Sequence, residues 1–210
     1  MNIPQVNQLK SKGIKVIDPQ TTYIDQSVKI TGKSIIIHPN TFITGSTEIK
    51  DECEIGPNSF LSNAKIEKNV KITFSHIEDS HIEKNCIIGP YSRIRNNSKI
   101  GKNVSIGNFA EIKSSNVGDN SNVRHYSYIG DADIGNNVNI GAGTITCNYD
   151  GTEKHQTKIG NNTFIGAGSM LIAPIIIGVG AKTGAGSVVT KDVDDFITVV
   201  GNPAKIMDNA

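Results

Sequence analysis

An isoleucine, leucine or valine recurs at every sixth position along most of this chain. The register is visible in three stretches, from Ile37 to Leu61, from Ile88 to Ile112 and from Ile159 to Ile177. A period of six matches neither an α-helix, which repeats about every 3.6 residues, nor a half-buried strand, which alternates between two faces. Each hexad is therefore one face of a coil, and three faces make a triangular turn of about 18 residues. The pattern predicts an all-β fold, a parallel β-helix of roughly ten coils.

Departures from this rhythm predict how the chain is organised. We expect residues 1–20 to form an N-terminal extension, residues 21–194 the β-helix and residues 195–210 a C-terminal tail. One insertion, at about residues 144–158, breaks the period strongly. A solenoid tolerates extra residues at a corner, where they leave the prism as a loop, and loops on a rigid scaffold are where functional residues concentrate. The inserted loop is therefore the first functional candidate.

Composition narrows the function classes. The formal net charge is +1 with 20% charged residues, so no basic excess indicates nucleic acid or a membrane surface. Three scattered cysteines lack the spacing of a metal site and are interpreted as reduced packing residues. The sequence holds neither the apolar core of a signal peptide nor a long apolar run. We therefore expect a cytoplasmic protein without a catalytic metal.

The coil length places chemically active residues above one another. Arg95 and Lys113 are 18 positions apart, and adjacent coils are separated by about 4.8 Å, so two cations share one edge. His125 follows, and we expect Tyr128 and Asn139 further along the same edge. Arginine and lysine bind phosphate, while a neutral imidazole can accept a proton at physiological pH. This pattern fits an anion pocket beside a general base, and equally a solvated charge ladder with a surface histidine.

Three stretches carry a resemblance to a known family: GAGTITCNYDGTEKHQTKIG, GPYSRIRNNSKIGKNVSIGNFAEIK and IKVIDPQTTYID. Over roughly residues 14–195 the chain resembles the C-terminal acetyltransferase domain of the bifunctional GlmU family, without its uridyltransferase domain. The resemblance implies a left-handed β-helix, a homotrimer and acetyl-CoA as co-substrate. It also implies N-acetylation of glucosamine 1-phosphate, a step of UDP-N-acetylglucosamine and cell-wall synthesis. The hand is implied by the family, because a six-residue period does not set it.

The resemblance also implies a role for each matching residue. His125 would be the base that deprotonates the 2-amino group of the sugar, which attacks the thioester directly. Sugar-phosphate binding is implied for Arg95, Lys113, Tyr128, Asn139, Asn148, Tyr149 and Lys154. Acetyl-CoA contacts are implied for Ala142, Ala167 and Ala185. Because Asn202 stands where the family has a coenzyme-binding arginine, we expect Lys191 or Lys205 to supply that cation.

Some positions depart from the family pattern. Asn96, Asn122 and Tyr126 replace a proline, a lysine and a leucine that are usual near the sugar pocket, and VVGNPAKIM replaces a basic tail. That ending resembles hexapeptide acetyltransferases that act on nucleotide sugars. Two alternatives therefore stay open. One is an N- or O-acetyltransferase for another amino sugar or nucleotide sugar, and the other is a non-catalytic β-helix scaffold.

Overall fold

The computed structural model describes residues 8–207, in which residues 8–11 are helical and short strands follow one another. The strands are β1 Ile14–Val16, β2 Tyr23–Ile24, β3 Lys29–Ile30, β4 Ile35–Ile37, β5 Phe42–Thr44, β6 Glu48–Ile49, β7 Glu54–Ile55, β8 Phe60–Ser62, β9 Lys65–Ile66, β10 Lys71–Ile72, β11 His76–Glu78, β12 His81–Ile82, β13 Ile87–Ile88, β14 Arg93–Arg95, β15 Lys99–Ile100, β16 Ser105–Ile106, β17 Glu111–Lys113, β18 Asn116–Val117, β19 Asn122–Val123, β20 Tyr128–Gly130, β21 Ala132–Ile134, β22 Asn139–Ile140, β23 Ile145–Cys147, β24 Thr157–Ile159, β25 Phe164–Ile165, β26 Met170–Ile172, β27 Ile175–Ile177, β28 Lys182–Thr183, β29 Val188–Val189, β30 Thr198–Gly201 and β31 Ala204–Ile206.

Every third strand joins the same sheet, so three consecutive strands make one triangular coil. Sheet A contains β1, β4, β7 and so on to β28, β30 and β31, sheet B runs from β2 to β29, and sheet C runs from β3 to β27. Neighbouring strands within each sheet are parallel, except that β30 and β31 pair antiparallel. The predicted all-β parallel β-helix is confirmed.

The aliphatic hexad marks stack inside the prism. Ile94, Ile112 and Ile129 pair in register along sheet B, and each is completely buried. Isoleucine suits this position because a β-branched side chain favours the extended backbone and fills the interior between coils. Each such side chain contributes on the order of 1.5–3 kcal/mol when it is removed from water. The core is therefore one continuous aliphatic column that holds the corners in place.

The corners rely on residues that tolerate a left-handed backbone. Asn85, Asn103 and Asn120 have φ values of 64°, 57° and 60°. Their side-chain amides form a ladder, in which Asn85 donates to Asn103 at 2.9 Å and Asn103 donates to Asn120 at 2.8 Å. Asparagine is favoured there because its short polar side chain offsets the cost of positive φ. The asparagines at the corners between sheets C and A therefore have a structural role.

Both ends of the β-helix extend beyond the predicted boundaries of 21–194. Strand β1, Ile14–Val16, pairs with β4, so sheet A begins within the predicted extension. Strand β30 pairs with β28, and β31 folds back on it, so most of the predicted tail closes the same sheet. Alternating inward side chains suffice for an end strand, which is why these segments join the sheet without a full hexad. Residues 1–7 and 208–210 lie outside the described part.

Across residues 8–207, no helix combines the length and the apolar character that a membrane crossing needs.

Candidate active site

Sheet B is one side of the triangular prism. It meets sheet A along one edge of the prism and sheet C along another. Each strand of sheet B runs from the first edge to the second, as β20 shows, with His125 before it and Asp131 after it. We call the first the His125 edge; its residues are Asn108, His125, Ala142, Ala167 and Ala185. We call the second the cation edge; its residues are Arg95, Lys113, Asp131, Asn148 and Lys154.

The cation edge brings Arg95 and Lys113 together as the spacing predicts. The two residues are direct partners in neighbouring strands of sheet B. Arg95 donates through Nε to Glu111 Oε1 at 2.7 Å, and Lys113 Nζ lies 3.0 and 2.9 Å from the two carboxylate oxygens of Asp131. The Lys113 side chain is 8% exposed. A solvated charge ladder is therefore wrong for Lys113, which is buried and held on both carboxylate oxygens.

Lys154 of the inserted loop joins this edge. The pKa of Lys154 is lowered, chiefly because the Lys113 ammonium group lies close to it, and Arg95 adds to that effect. For Lys113, burial alone would lower the pKa, but the hydrogen bonds and the charge of Asp131 outweigh burial and raise it. Three cations therefore converge here, with Asp131 between two of them, and the cluster suits a phosphate group.

The inserted loop begins at Asn148, after β23, and returns to sheet C at Thr157, where β24 pairs with β21. Strand residues therefore occupy both ends of the predicted 144–158 insertion. Asn148 is 6% exposed, and its amide donates to a carboxylate oxygen of Asp131. Tyr149 and Lys154 face each other across an antiparallel bridge. The loop is thus a short hairpin whose base is anchored to the cation edge.

The tip of this hairpin is held by Asp150. Its carboxylate accepts hydrogen bonds from the backbone N–H groups of Thr152 at 2.7 Å and Glu153 at 2.8 Å. The Nε2 atom of His155 lies 2.6 Å from the other carboxylate oxygen. The bond with His155, followed by the two backbone bonds, holds the pKa of Asp150 well below its usual range. The tip is therefore closed by an ionised carboxylate, which leaves Lys154 on the side facing Lys113.

Tyr128 connects the two edges. It pairs with Glu111 and Ile145 in sheet B, next to the His125 edge. A side-chain carbon on Gly130 would come within 2.5 Å of the Tyr128 hydroxyl and within 2.7 Å of Asn148 Nδ2. Because Gly130 lacks that carbon, the tyrosine can lie across the sheet towards Asn148. The Tyr128 hydroxyl group therefore lies at the cation edge.

His125 is exposed at its corner, where it has a φ of 57°. Its Nδ1 atom is hydrogen-bonded to Asn108 Oδ1 in the coil below. An amide oxygen only accepts hydrogen bonds, so Nδ1 carries a hydrogen, and in the neutral imidazole Nε2 is then the nitrogen with the free lone pair. This tautomer makes Nε2 the basic atom. His125, Asn139 and Ala142 line one open depression together with Asn122, Arg124, Ile140 and Gly141.

The three predicted acetyl-CoA alanines stack above His125. Backbone bonds link successive coils, from Gly143 N–H to the His125 carbonyl at 2.8 Å, from Gly168 N–H to that of Ala142 at 2.7 Å and from Gly186 N–H to that of Ala167 at 2.7 Å. Ala142, Ala167 and Ala185 are all exposed. Small side chains therefore leave a smooth strip that starts at the imidazole and follows the edge.

Asn139 departs from the expectation of one shared edge. It pairs with Asn122 and Phe164 in sheet A, and so it lies beside His125 and not beside Arg95. The expected single ladder of cations, imidazole, phenol and amide is wrong, because the chain crosses sheet B between His125 and Asp131. The three strand residues between the edges span about 10 Å. The predicted residues therefore form two half-sites.

An aromatic ladder occupies the corner position that follows the His125 column. The rings of Phe74, Tyr91, Phe109 and Tyr126 have successive centroid separations of 5.4, 5.3 and 5.1 Å. In the coils above, the same corner position holds Gly143, Gly168 and Gly186. The ladder therefore ends at Tyr126, one residue after His125. Sequence reasoning missed it, although the aromatic residues recur at the coil spacing.

Lys191 and Lys205 lie in different places. Lys205 belongs to β31 and pairs with Val200, whose side chain covers Gly184 immediately before Ala185. Lys191 follows β29 and lies on the cation-edge side of sheet B. The fold thus brings Lys205, and not Lys191, to the end of the alanine column.

The cysteines have the character of packing residues. Cys53 and Cys86 are buried, and burial raises the pKa of their thiols to about 11 and about 12. Burial also raises the pKa of Cys147, the opposite of what an activated nucleophile needs. Among residues 8–207, no group of three or more His, Cys, Asp and Glu side chains is arranged to hold a metal ion.

Contacts reveal three residues that sequence reasoning missed: Asn108, Glu111 and Asp131. Asn108 holds His125, Glu111 holds Arg95, and Asp131 holds Lys113. A signal existed for Asp131, because it follows Lys113 by 18 residues, as Lys113 follows Arg95. Asn108 precedes His125 by 17 residues and Glu111 follows Arg95 by 16, so both could have been found in the same way.

Comparison with known proteins first defines the class. The family model described as "Bacterial transferase hexapeptide (six repeats)" matches residues 79–114 and 156–191. These hexapeptide repeats fit a left-handed β-helix. The Francisella novicida UDP-N-acetylglucosamine acyltransferase has a TM-score of 0.64 at 20% identity, covering 91% of this chain and 68% of that one, and supports the fold alone. The chain is a hexapeptide-repeat β-helix protein.

Sequence comparison then gives the particular relationship. The chain is 46% identical over 207 residues to the bifunctional protein GlmU of Thermotoga petrophila, covering 99% of this chain and 46% of that protein. It is 47% identical over 188 residues to the GlmU of Acaryochloris marina, covering 90% of this chain and 41% of that protein. The chain thus spans somewhat less than half the length of these relatives. The predicted resemblance to the GlmU family is confirmed.

One solved structure adds a ligand. The acetyltransferase domain of PglB from Neisseria gonorrhoeae, in complex with acetyl coenzyme A, has a TM-score of 0.54 at 26% identity and covers 59% of this chain and 58% of that one.

Proposed function

We propose that this chain is an acetyl-CoA-dependent N-acetyltransferase that converts glucosamine 1-phosphate to N-acetylglucosamine 1-phosphate. The observation that carries the proposal is the pair of half-sites on sheet B, a cluster of three cations and a histidine whose Nδ1 is hydrogen-bonded to Asn108. The similarity to GlmU proteins over 99% of this chain supports the same activity, and the PglB complex supports acetyl-CoA as the co-substrate.

The cation edge is the phosphate half of this site. Arg95, Lys113 and Lys154 supply N–H donors and positive charge to a phosphate monoester. Tyr128, Asn148 and Tyr149 border the same cluster and offer hydroxyl and amide groups to the sugar, while Asn139 does so from the His125 side. Glucosamine 1-phosphate matches this arrangement because it joins an anion to a ring rich in hydroxyl groups.

His125 is the general base in this proposal. The neutral 2-amino nitrogen attacks the carbonyl carbon of the acetyl thioester, and Nε2 accepts the proton that this nitrogen loses as the bond forms. A C–N bond forms and the C–S bond breaks, and the proton held by His125 can pass to the departing CoA thiolate. The Asn108 bond on Nδ1 keeps the imidazole in the tautomer that this transfer needs. The transfer is direct, which agrees with the raised pKa of Cys147.

Acetyl-CoA lies along the alanine column. Ala142, Ala167 and Ala185 form an exposed strip of small side chains that ends near β31, where Lys205 can meet the CoA phosphates. The strip starts at His125, so an extended thioester bound along it would present its acetyl group beside the imidazole. Lys191 is less suited to this role, because it lies on the opposite side of sheet B.

A homotrimer would complete the site. Within one protomer, the histidine and the cations lie at opposite edges of sheet B, separated by the length of one three-residue strand. Around a three-fold axis, the His125 edge of one protomer can face the cation edge of the next. The exposed rings of Tyr91, Phe109 and Tyr126 provide an apolar surface of the kind that subunit interfaces cover.

The decisive experiment measures release of free CoA thiol from acetyl-CoA and glucosamine 1-phosphate by the parent protein and by His125→Ala. We expect the variant to lose about 10²–10⁴-fold in kcat, the usual contribution of a positioned base. His81→Ala, on sheet C, is the matched control and should keep full activity. Circular dichroism would establish that each variant is folded.

The other outcomes separate the alternatives. If the parent ignores glucosamine 1-phosphate but acetylates a UDP- or dTDP-linked amino sugar, the acceptor proposal is wrong and the enzyme class stands. If acetyl-CoA neither raises the melting temperature nor is consumed with any of these sugars, the chain is a scaffold.

A further inference from the structure

We infer that Asp131 is a positioning residue for the phosphate half of the site, where its carboxylate fixes Lys113 and Asn148 and offsets the repulsion between Lys113 and Lys154. The role rests on the proposed function, since it concerns how the sugar phosphate is held. Asp131 would act through these neighbours, without contacting the substrate.

The contacts of Asp131 are those of an organising group. Its two carboxylate oxygens lie 3.0 and 2.9 Å from Lys113 Nζ, and one of them also accepts a hydrogen bond from the Asn148 amide. Lys113 belongs to the coil below and Asn148 to the coil above. One carboxylate therefore ties together side chains from three successive coils at the point where the inserted loop begins.

The backbone fixes where this carboxylate lies. The N–H of Asp131 donates to the Lys113 carbonyl at 3.0 Å, and its own carbonyl accepts from the Thr157 N–H at 3.2 Å. The residue is thus stacked between the strand that carries Lys113 and the strand that follows the loop. Its side chain is 23% exposed, so little freedom remains for the carboxylate to leave the cluster.

The charge arrangement explains why an acidic residue belongs in an anion site. The Lys154 ammonium group lies close enough to Lys113 to interact with it, and Asp131 opposes that repulsion. An ammonium group has three N–H donors; the two oxygens of Asp131 hold Lys113 in one orientation and leave donor capacity for a phosphate. Without Asp131, Lys113 and Lys154 would repel each other, and the loop would lose the anchor at Asn148.

Asp131→Asn is the informative variant. Asp131 has a φ of 50°, a conformation that asparagine adopts about as readily as aspartate, so the corner can keep its shape. The amide removes the negative charge and one of the two acceptor oxygens. Asp133→Asn is the matched control, because it makes the same change two residues further along, at an exposed position in β21.

The test is steady-state kinetics with glucosamine 1-phosphate and acetyl-CoA varied separately. We expect Asp131→Asn to raise KM for the sugar phosphate about 10- to 100-fold, less than the full cost of truncating a buried charge pair because asparagine keeps one acceptor oxygen, and to leave KM for acetyl-CoA within about twofold. Asp133→Asn should leave both constants within about twofold.

A second variant separates positioning from a purely structural role. If Asp131 holds Lys154 against Lys113, Lys154→Ala should raise KM for the sugar phosphate in the parent and have a smaller effect in the Asp131→Asn background. If Asp131→Asn lowered the melting temperature but had the same KM for the sugar phosphate as the parent, Asp131 would only stabilise the fold. A lower KM in Asp131→Asn would mean that the carboxylate merely competes with phosphate. Either result overturns the inference.

A binding measurement keeps this inference distinct from the proposed function. If the parent does not turn over glucosamine 1-phosphate, the proposed activity fails, but inorganic phosphate still probes the cluster. Isothermal titration should then show phosphate binding to the parent and to Asp133→Asn, with about tenfold weaker binding to Asp131→Asn. Equal phosphate binding by all three proteins, or by none of them, would overturn the inference.

Discussion

The two edges of sheet B lie at opposite ends of the same strands and differ in charge and in side-chain size. The cation edge is crowded with ionised side chains that hold one another, and its Lys113 is almost fully buried. The His125 edge is open, and its upper part consists of alanines and glycines with exposed or half-exposed positions. The geometry of the cation edge depends on its ion pairs and hydrogen bonds, whereas the His125 edge is open because its residues have small side chains. Removing a charge should therefore impair binding at the cation edge, and adding a bulky side chain should impair binding at the His125 edge.

Among the substitutions that compare the two edges, the largest change in KM is expected from removing a charge at the cation edge. Arg95→Ala deletes a guanidinium group that can donate two charge-assisted hydrogen bonds, so KM for glucosamine 1-phosphate should rise about 10- to 100-fold. KM for acetyl-CoA should stay within about twofold, and Lys99→Ala, an exposed residue of sheet C, is the control. Equal changes in both KM values would remove the distinction between the edges.

Adding bulk at the His125 edge should give the complementary result. Ala167→Phe places a ring in the alanine column, and overpacking of about 1–2 kcal/mol predicts a rise of roughly 5- to 30-fold in KM for acetyl-CoA. KM for the sugar phosphate should change little. Lys102→Phe adds the same ring at an exposed turn elsewhere and should be neutral. An unchanged KM for acetyl-CoA would show that the coenzyme takes another path.

The aromatic ladder tests whether the lower part of the same edge serves assembly. In the protomer Phe109 is 50% exposed and stacks on Tyr91 and Tyr126, so Phe109→Ser should lower the stability of an isolated chain by about 1–3 kcal/mol and leave it folded. If protomers meet along this edge, sedimentation equilibrium should show self-association weakened about tenfold, the value of one interfacial ring. Phe164→Ser removes a ring that is 49% exposed on sheet A and should leave association unchanged. Identical sedimentation of both variants would refute a subunit contact at the ladder.

The smallest effect is expected at the tip of the inserted loop and depends on pH. The lowered pKa of Asp150 means that its ionised carboxylate stabilises the closed hairpin above the ordinary aspartate pKa of about 3.9, and that this contribution is lost as pH falls below that value. Hydrogen exchange of the loop amides should therefore show protection that is steady from pH 7 to about 4 and declines below it. In Asp150→Asn the protection should be lower at neutral pH and should lack this decline. A decline of the same size in the variant would assign the effect to other carboxylates.

Much of the fold could be predicted because the hexad is a local signal. Inward isoleucines recur at a fixed period, and they pair in register as Ile94, Ile112 and Ile129 do. The ends were harder to predict, since β1 and β30 join sheet A with only an alternating pattern. An end strand is stabilised on one side by an existing sheet, and this contribution is not visible in its own residues.

The candidate site was predicted in composition but not in layout. Arg95 and Lys113 are separated by one coil of 18 residues, and their stacking followed directly. The next coil takes 17 residues, from Lys113 to Gly130, and the coil with the loop takes 25, from Ile145 to Met170. Counting by eighteen therefore loses register. Asn139 was expected on the wrong edge because it follows Asp131 by only eight residues, about half a coil, and so lies in the next strand of sheet A.

The sequence by itself determined that the chain winds into a parallel β-helix, that an insertion interrupts it at about residues 144–158, and which side chains are candidates for the chemistry. These features depend on a short period and on motifs that are contiguous in the chain. Only the tertiary structure decided that His125 and the cations occupy opposite edges, that Asn108 sets the imidazole tautomer and that Asp131 organises Lys113 and Asn148. The reason is geometric, because these contacts join neighbouring coils, and coils of 17, 18 and 25 residues give no single sequence separation from which the contacts could be read.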